Sequence, residues 1–193
     1  MQRGACCAKE SSFRISRPFL RSVNVCAVRS GKYIKSCRRE ENQMAVYTKV
    51  KDYRTKGHMS MIDVTNDFRQ AVQEACREKN ISDGIITGFT TGGVAALTTL
   101  EFEPGMVTRD LKYALDKISP WRDENGRLVY YKHHETWGDD NGSSHIKSAI
   151  LSPFITIPFV NGDITIGPWQ NLTLVECDTR NRHREIVFQV MGE

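Results

Sequence analysis

Residues 154–192 read FITIPFVNGDITIGPWQNLTLVECDTRNRHREIVFQVMG, and their pattern decides the fold. Apolar and polar residues alternate through FITIPFV and again through DITIG, the period of a strand with one face buried. Asn161-Gly162 between them is the dipeptide of a two-residue type I′ hairpin, because both central residues of that turn take positive φ. NLTLVECD and REIVFQVMG alternate in the same way and are expected to pair with each other across TRNRHR. A run of strands joined by short turns predicts an antiparallel sheet.

Upstream, AVYTKVK (45–51) predicts a first strand and MSMIDV (59–64) a second. Thr65 then reads as the cap of a helix over 65–79, with Phe68, Val72, Ala75 and Cys76 forming one apolar stripe and Asn80 as its stop. GIITGF (84–89) and residues 95–102 read as strands on either side of Gly92-Gly93. That pair reads as a turn. Its glycines would let backbone approach a phosphate, but it lacks the Lys-Ser/Thr of a P-loop and the third glycine of a dinucleotide fingerprint. Thr108 is expected to cap a helix over 109–118 that ends before Pro120. Residues 121–130 form a turn-rich connection, and Ser143 or Ser144 caps a short helix carrying His145, Ile146, Lys147 and Ile150. The sum is an α+β chain: a mainly antiparallel β-sandwich of about seven or eight strands with two or three helices.

The 39% hydrophobic content of the 193 residues can fill one core. No apolar run approaches the roughly 20 residues that span a bilayer, so a soluble protein without membrane partners is expected. Charge is unevenly spread. Residues 1–43 hold ten Lys/Arg against three Glu, whereas residues 44–193 hold seventeen Lys/Arg against twenty Asp/Glu. The first stretch is rich in Arg and Ser and poor in acids, as in organelle transit peptides, or it precedes a true start at Met44. Either way it is read as a disordered leader, with one domain over 44–193. That body has no basic stripe, which argues against nucleic acid. It keeps only Cys76 and Cys177, with no zinc-type spacing, so a reducing, cytoplasmic compartment fits, or an organelle if the leader is a transit peptide.

Chemistry-bearing residues crowd into YKHHETWGDDNGSSHIK, residues 131–147. His133 and His145 are candidate ligands or acid/base groups, since imidazole titrates near neutrality and binds metals. His134 is adjacent to His133 and, on an extended chain, points the other way. Asp139, Asp140 and Asn141 either form an ordinary turn or orient the imidazoles. Glu101 and Glu103 straddle Phe102 near a strand end, so both would face one side as bases, ligands or solvated acids. Trp169 is either core or an aromatic wall. No Ser-His-Asp order, G-x-S-x-G elbow, HExxH or Walker motif is present, which removes the most recognisable hydrolases and kinases.

The runs AALTTLEFEPG, YKHHETWGDDNGSSHIKSAIL, IPFVNGDITIGPWQ and REIVFQVMGE, in this order, resemble the YjbQ-type family of secondary thiamine-phosphate synthases, over residues 44–193. The resemblance implies an α+β domain of two packed sheets, a homotrimer, and a histidine-lined pocket. It carries catalytic roles to His133, His145 and Glu101. It carries substrate contacts to Asp140, Asn141, Lys147, Trp169 and Gln170, the last two in the family's Gly167-x-Trp169-Gln170 signature. A divalent ion, Mg or Zn, would sit on His133, His145 and Asp139. The implied reaction joins hydroxymethylpyrimidine diphosphate to thiazole phosphate with release of pyrophosphate. A non-enzymatic trimer that binds a metal or small anion, and a metal-assisted hydrolase, are the alternatives. One departure stands out: many members carry histidine-threonine where this chain has Gly92-Gly93-Val94, which removes an imidazole.

Overall fold

A computed structural model describes residues 44–193, so the expectation of a disordered leader over 1–43 lies outside the described residues. The chain divides into two units, Met1–Glu40 and Glu41–Glu193, and the second holds everything that follows. Among the described residues are eight strands: β1 (Ala45–Arg54), β2 (Ser60–Asp63), β3 (Gly84–Thr90), β4 (Ala95–Leu100), β5 (Phe154–Val160), β6 (Asp163–Ile164), β7 (Asn171–Glu176) and β8 (His183–Gly192). Four helices accompany them: α1 (Thr65–Lys79), α2 (Leu111–Ile118), α3 (His133–Trp137) and α4 (Gly142–Leu151). All pairings are antiparallel, which gives the expected α+β architecture. None of the described helices is long and apolar enough to cross a membrane.

Two sheets form, in the orders β1-β8-β3-β5-β6 and β2-β7-β4. The hairpin at 161–162 is as expected, with φ of 52° at Asn161 and 75° at Gly162. The pairing of β7 with β8 is not. β7 is the centre of the three-stranded sheet, whereas β8 lies between β1 and β3 in the five-stranded one. The connection 177–182 therefore passes from one sheet to the other. The physical reason lies in burial: β7 is covered on both faces, with Leu172, Leu174 and Val175 fully buried, and needs layers on each side.

One of those layers is the main core. Helix α1 lays Phe68, Ala71, Val72 and Ala75 against the inner face of the five-stranded sheet, where Phe68 meets Phe188 edge-on at 4.9 Å. A fully buried Phe of this kind stabilises by about 1.5–3 kcal/mol. The stop at Asn80 is as expected, in the left-handed conformation at φ 53°. Thr65, however, begins the helix rather than capping it. The side chain of Asp63 accepts from its backbone N–H at 2.9 Å, and Thr65 Oγ1 accepts from Leu172 N–H, tying α1 to β7. The second layer packs α2 and α4 onto the other face of the three-stranded sheet through Leu111, Leu115 and Leu151 against Ala96, Val175 and Cys177. A π-turn, Met106–Asp110, leads into α2, and Glu103 rather than Thr108 satisfies its first N–H groups, at Gly105 and Met106. That fixes Glu103 as a structural acid.

The outer face of the five-stranded sheet carries two apolar rows. Cross-strand register places Val46, Met191, Ile85 and Pro158 in one row, and Val50, Val187, Phe89 and Phe154 in another. Thr48, Gln189, Thr87 and Thr156 lie between them. Val50 and Phe154 are each more than half exposed, at 54% and 52%.

Candidate functional site

The stretch 131–141 is not the loop its composition suggests. His133–Trp137 makes a single helical turn, closed by Gly138 at φ 69°. Neighbouring residues on a helix diverge by about 100°, so His133 and His134 separate. His133 faces α4, where its ring stacks on that of His145 with centroids 4.5 Å apart and planes at 30°. His134 turns instead to the backbone oxygen of Asp139, at 3.1 Å, and to the Asp140 carboxylate, at 3.2 Å. Gly142 permits this approach. A Cβ there would lie 2.5 Å from that of Tyr131 and 3.2 Å from that of His133. Hydroxyl contacts fix the unit: Tyr131 donates to Pro120 O at 2.7 Å and Ser143 to Ser119 O at 2.6 Å. Asn141 caps α4 by position, its backbone oxygen accepting from the N–H groups of Ser144 and His145.

Asp139 and His133 approach to 2.9 Å, but the Oδ1 and Nδ1 atoms are misaligned for a hydrogen bond. Both are withheld from solvent without a partner, as are Asn141 Oδ1 and Trp121 Nε1. Buried polar atoms are normally satisfied, and each that is not costs about 1–3 kcal/mol. Three of these residues, Trp121, Asp139 and Asn141, border one cavity. Burial lowers the pKa of His145 from its ordinary 6.5, and the neighbouring His133 lowers it further, so His145 is neutral at pH 7.

The cavity, of about 250 Å³, lies between Trp121, Leu128, the Asp139–Asn141 turn and the β7–β8 connection. That connection brings Asp178, Thr179, Arg180 and Arg182 into the lining. Burial pushes the Asp178 carboxyl up, but the Arg182 Nε–H donor at 2.5 Å and the Thr179 N–H hold it below the usual carboxylate range. Beneath it, Arg184 makes a two-pronged contact to Glu176, both arms at 2.7 Å, and Glu176 also accepts from the Thr55 hydroxyl. The glycine pair at 92–93 roofs this layer. A Cβ at Gly92 would fall 2.6 Å from Arg184 Nη1, so Gly92 leaves room for the guanidinium. Gly93 borders the site itself, 3.6 Å from the His145 ring measured from a built Cβ.

Of the residues singled out in the sequence, His133, His145, Asp139, Asp140 and Asn141 come together. The others go elsewhere. Glu101, Trp169 and Gln170 lie at the far end of the β4–β7 ladder, beyond the Leu100–Asn171 pair, while the histidines lie beyond the Ala95–Glu176 pair. At about 3.4 Å per residue the ladder separates the two groups by roughly 20 Å. Trp169 is 72% exposed, and Gln170 folds back to accept from the Gly167 N–H. Lys147 is buried on the opposite side of α4, where it pairs with Asp116 of α2, so its role is to hold the two helices together.

The expected ligands His133, His145 and Asp139 are neighbours without forming a ligating set. Among the described residues, no group of three or more His, Cys, Asp or Glu side chains is placed to hold an ion. Stacked imidazoles send their in-plane lone pairs side by side rather than towards one point. Cys177 adds no reactivity, because burial pushes its thiol up to about 12.

Trp121, Asp178, Arg180 and Arg182 were missed by sequence reasoning. A signal existed for the two arginines: TRNRHR sets three arginines within six residues of an otherwise acidic body.

Residues 49–193 match the family model described as UPF0047 protein YjbQ-like. A UPF0047 protein of the cyanobacterium Synechocystis sp. is 30% identical over 66% of this chain and 83% of its own length. One from Methanothermobacter thermautotrophicus is 27% identical over 78% and 95%. Among solved structures, a YbjQ-like protein of unknown function from Sulfolobus solfataricus superposes with a TM-score of 0.66 at 26% identity, covering 78% of this chain and all of its own. A YjbQ/UPF0047 protein of Clostridium acetobutylicum gives 0.58 at 29% identity over 72% and 97%. With the family model matching residues 49–193 and solved members sharing the fold, this chain belongs to the YjbQ-like UPF0047 family.

Proposed function

We propose that the cavity between the Asp139–Asn141 turn and Arg180–Arg182 binds a small phosphorylated substrate. The reaction proposed is the one the family resemblance names, thiamine-phosphate synthesis. The observation that carries this reading is that Arg180 and Arg182 line a cavity whose opposite wall, the Asp139–Asn141 turn, adjoins the His133–His145 pair. Guanidinium suits phosphate because its fork of donors matches two oxygens at once.

In the proposed reaction, the C–O bond between the pyrimidine methylene and its diphosphate breaks, and the electron pair leaves with pyrophosphate. The thiazole nitrogen then forms the C–N bond to that methylene, giving thiamine phosphate. The charge to be stabilised develops on the departing oxygens. Arg180 and Arg182 face them, and His133 donates to them from beside Asp139. The neutral His145 accepts a hydrogen bond from the pyrimidine's amino group. Mg²⁺ enters only as the counter-ion of the diphosphate substrate. The test is direct: the full chain, given both substrates and Mg²⁺, forms thiamine phosphate and equimolar pyrophosphate by chromatography. Binding without product would leave the non-enzymatic anion-binding reading in its place.

The homotrimer belongs to the same proposal. Its support is the outer face of the five-stranded sheet, whose uncharged rows span four strands with large side chains half in water. Exposed apolar patches of this kind mark association surfaces. Light scattering is expected to give about three times the chain mass, and Phe89→Asp, at the centre of one row, to give monomer. A wild-type monomer would remove the trimer from the reading.

A further inference from the structure

A second cavity, of about 790 Å³, opens between α2 and the segment 120–129 on the other side of Trp121. Its size falls in the range of small-molecule sites, roughly 300–1,000 Å³. Tyr113, Pro120, Trp121 and Val129 give it an apolar lining, and Tyr113 is 62% exposed despite its size. Its cations are distributed in a particular way. Lys112 is committed to Asp116. Lys117 stands over the Tyr113 ring at 5.0 Å and Arg122 over the Trp121 ring at 4.3 Å, so both pair with aromatic faces rather than carboxylates. Arg122 is held there by donating to Gly126 O at 2.7 Å. The Asp123 carboxylate, next to Arg122 in sequence, is taken up by the backbone N–H groups of Asn125 and Arg127, while Glu124 also lines the cleft and the His58 ring lies 4.5 Å from that of Trp121.

We infer that this cleft is a second ligand subsite, for a flat heteroaromatic ring carrying an anionic group, and that Trp121 is the wall it shares with the smaller cavity at Asp139–Asn141 and Arg180–Arg182. Aromatic surface takes the ring, offset or edge-on, and Lys117 and Arg122 take the anion. Trp121 lines both cavities, so two ligands bound in them are neighbours across one indole. The inference rests on reading the smaller cavity as a phosphorylated-substrate site. It adds where the acceptor substrate, a heteroaromatic phosphate, waits.

The test uses the full chain with Trp137→Phe and Trp169→Phe, which leaves Trp121 as the sole indole. Thiazole phosphate is the probe. Titration is expected to shift Trp121 emission saturably, with one site by calorimetry. Lys117→Glu and Arg122→Glu are each expected to weaken binding about tenfold, a difference of about 1.4 kcal/mol. These two exposed positions carry the test even if Trp121→Leu does not fold. Emission that stays flat at saturating probe overturns the inference, as does affinity that is unchanged in both charge variants. The two readings fail separately. Probe binding that depends on Lys117 and Arg122, but without product when hydroxymethylpyrimidine diphosphate is added, keeps the subsite and removes the reaction. Product formed with unchanged KM for thiazole phosphate in both charge variants keeps the reaction and removes the subsite.

Discussion

Arg184→Ala is expected to cost about 3–5 kcal/mol of unfolding free energy, the range for breaking a buried ion pair from one side. Glu176 is fully buried, and Arg184 is its only cationic partner among the described residues. Without the guanidinium, the carboxylate keeps only the Thr55 hydroxyl and the Asp178 N–H. A domain with about 5–15 kcal/mol in total would lose a large part of its stability. Urea unfolding measures the loss directly. Two controls separate charge from packing. The double variant Arg184→Met, Glu176→Leu should recover most of the stability, because an apolar pair of similar volume is often no worse than a buried ion pair. Arg184→Lys should not, since an ammonium cannot reproduce two parallel N–H contacts.

In the proposed reaction His145→Ala is expected to lower turnover by up to about tenfold, the loss of one hydrogen bond to the pyrimidine worth about 0.5–1.5 kcal/mol. Stability should change much less, because the ring is only partly buried. Burial and the adjacent His133 hold its pKa below 6.5, so the neutral form persists as pH drops below the point where a free histidine protonates. The acid limb of the rate profile should therefore fall below pH 6.5 in the wild type. The same shift has a stability consequence with a definite sign. The unfolded chain binds a proton at this histidine more readily than the folded one, so stability is full above pH 6.5 and declines as pH falls towards the lower folded value. Both effects should vanish together in His145→Ala. A variant with wild-type turnover would show that the imidazole pair is structural.

What the sequence disclosed was local. Asn161-Gly162 dictates its own turn geometry, and the apolar stripe of 65–79 needs no partner to be recognised. The separation of β7 from β8 was hidden because both strands carry the same alternation, and only the layers on either side of β7 distinguish them. Helix α3 was hidden too. Five residues without an apolar stripe give no helical period, so His133 and His134 looked like opposite faces of an extended chain. The same locality misled the site. Trp169 and Gln170 belong to the signature that follows the histidines in sequence, yet the direction of β7 carries them to the far end of the sheet. Arg180 and Arg182 look like a solvated turn until that strand brings them back to Asp139, some 40 residues upstream. Gly93 borders the site: a side chain there would touch the His145 ring at ordinary contact distance.

The place of β8 between β1 and β3 has a consequence for biosynthesis. The first and last strands of the domain are hydrogen-bonded along their whole length, from Ala45–Gly192 to Arg54–His183. On a ribosome adding about 5–20 residues per second, β1 waits on the order of ten seconds for its partner. Until β8 arrives, β1 has no neighbour and β3 has one open edge, and both are templates for pairing with another chain. The larger sheet therefore stays in two parts, β1 alone and β3-β5-β6, until β8 joins them.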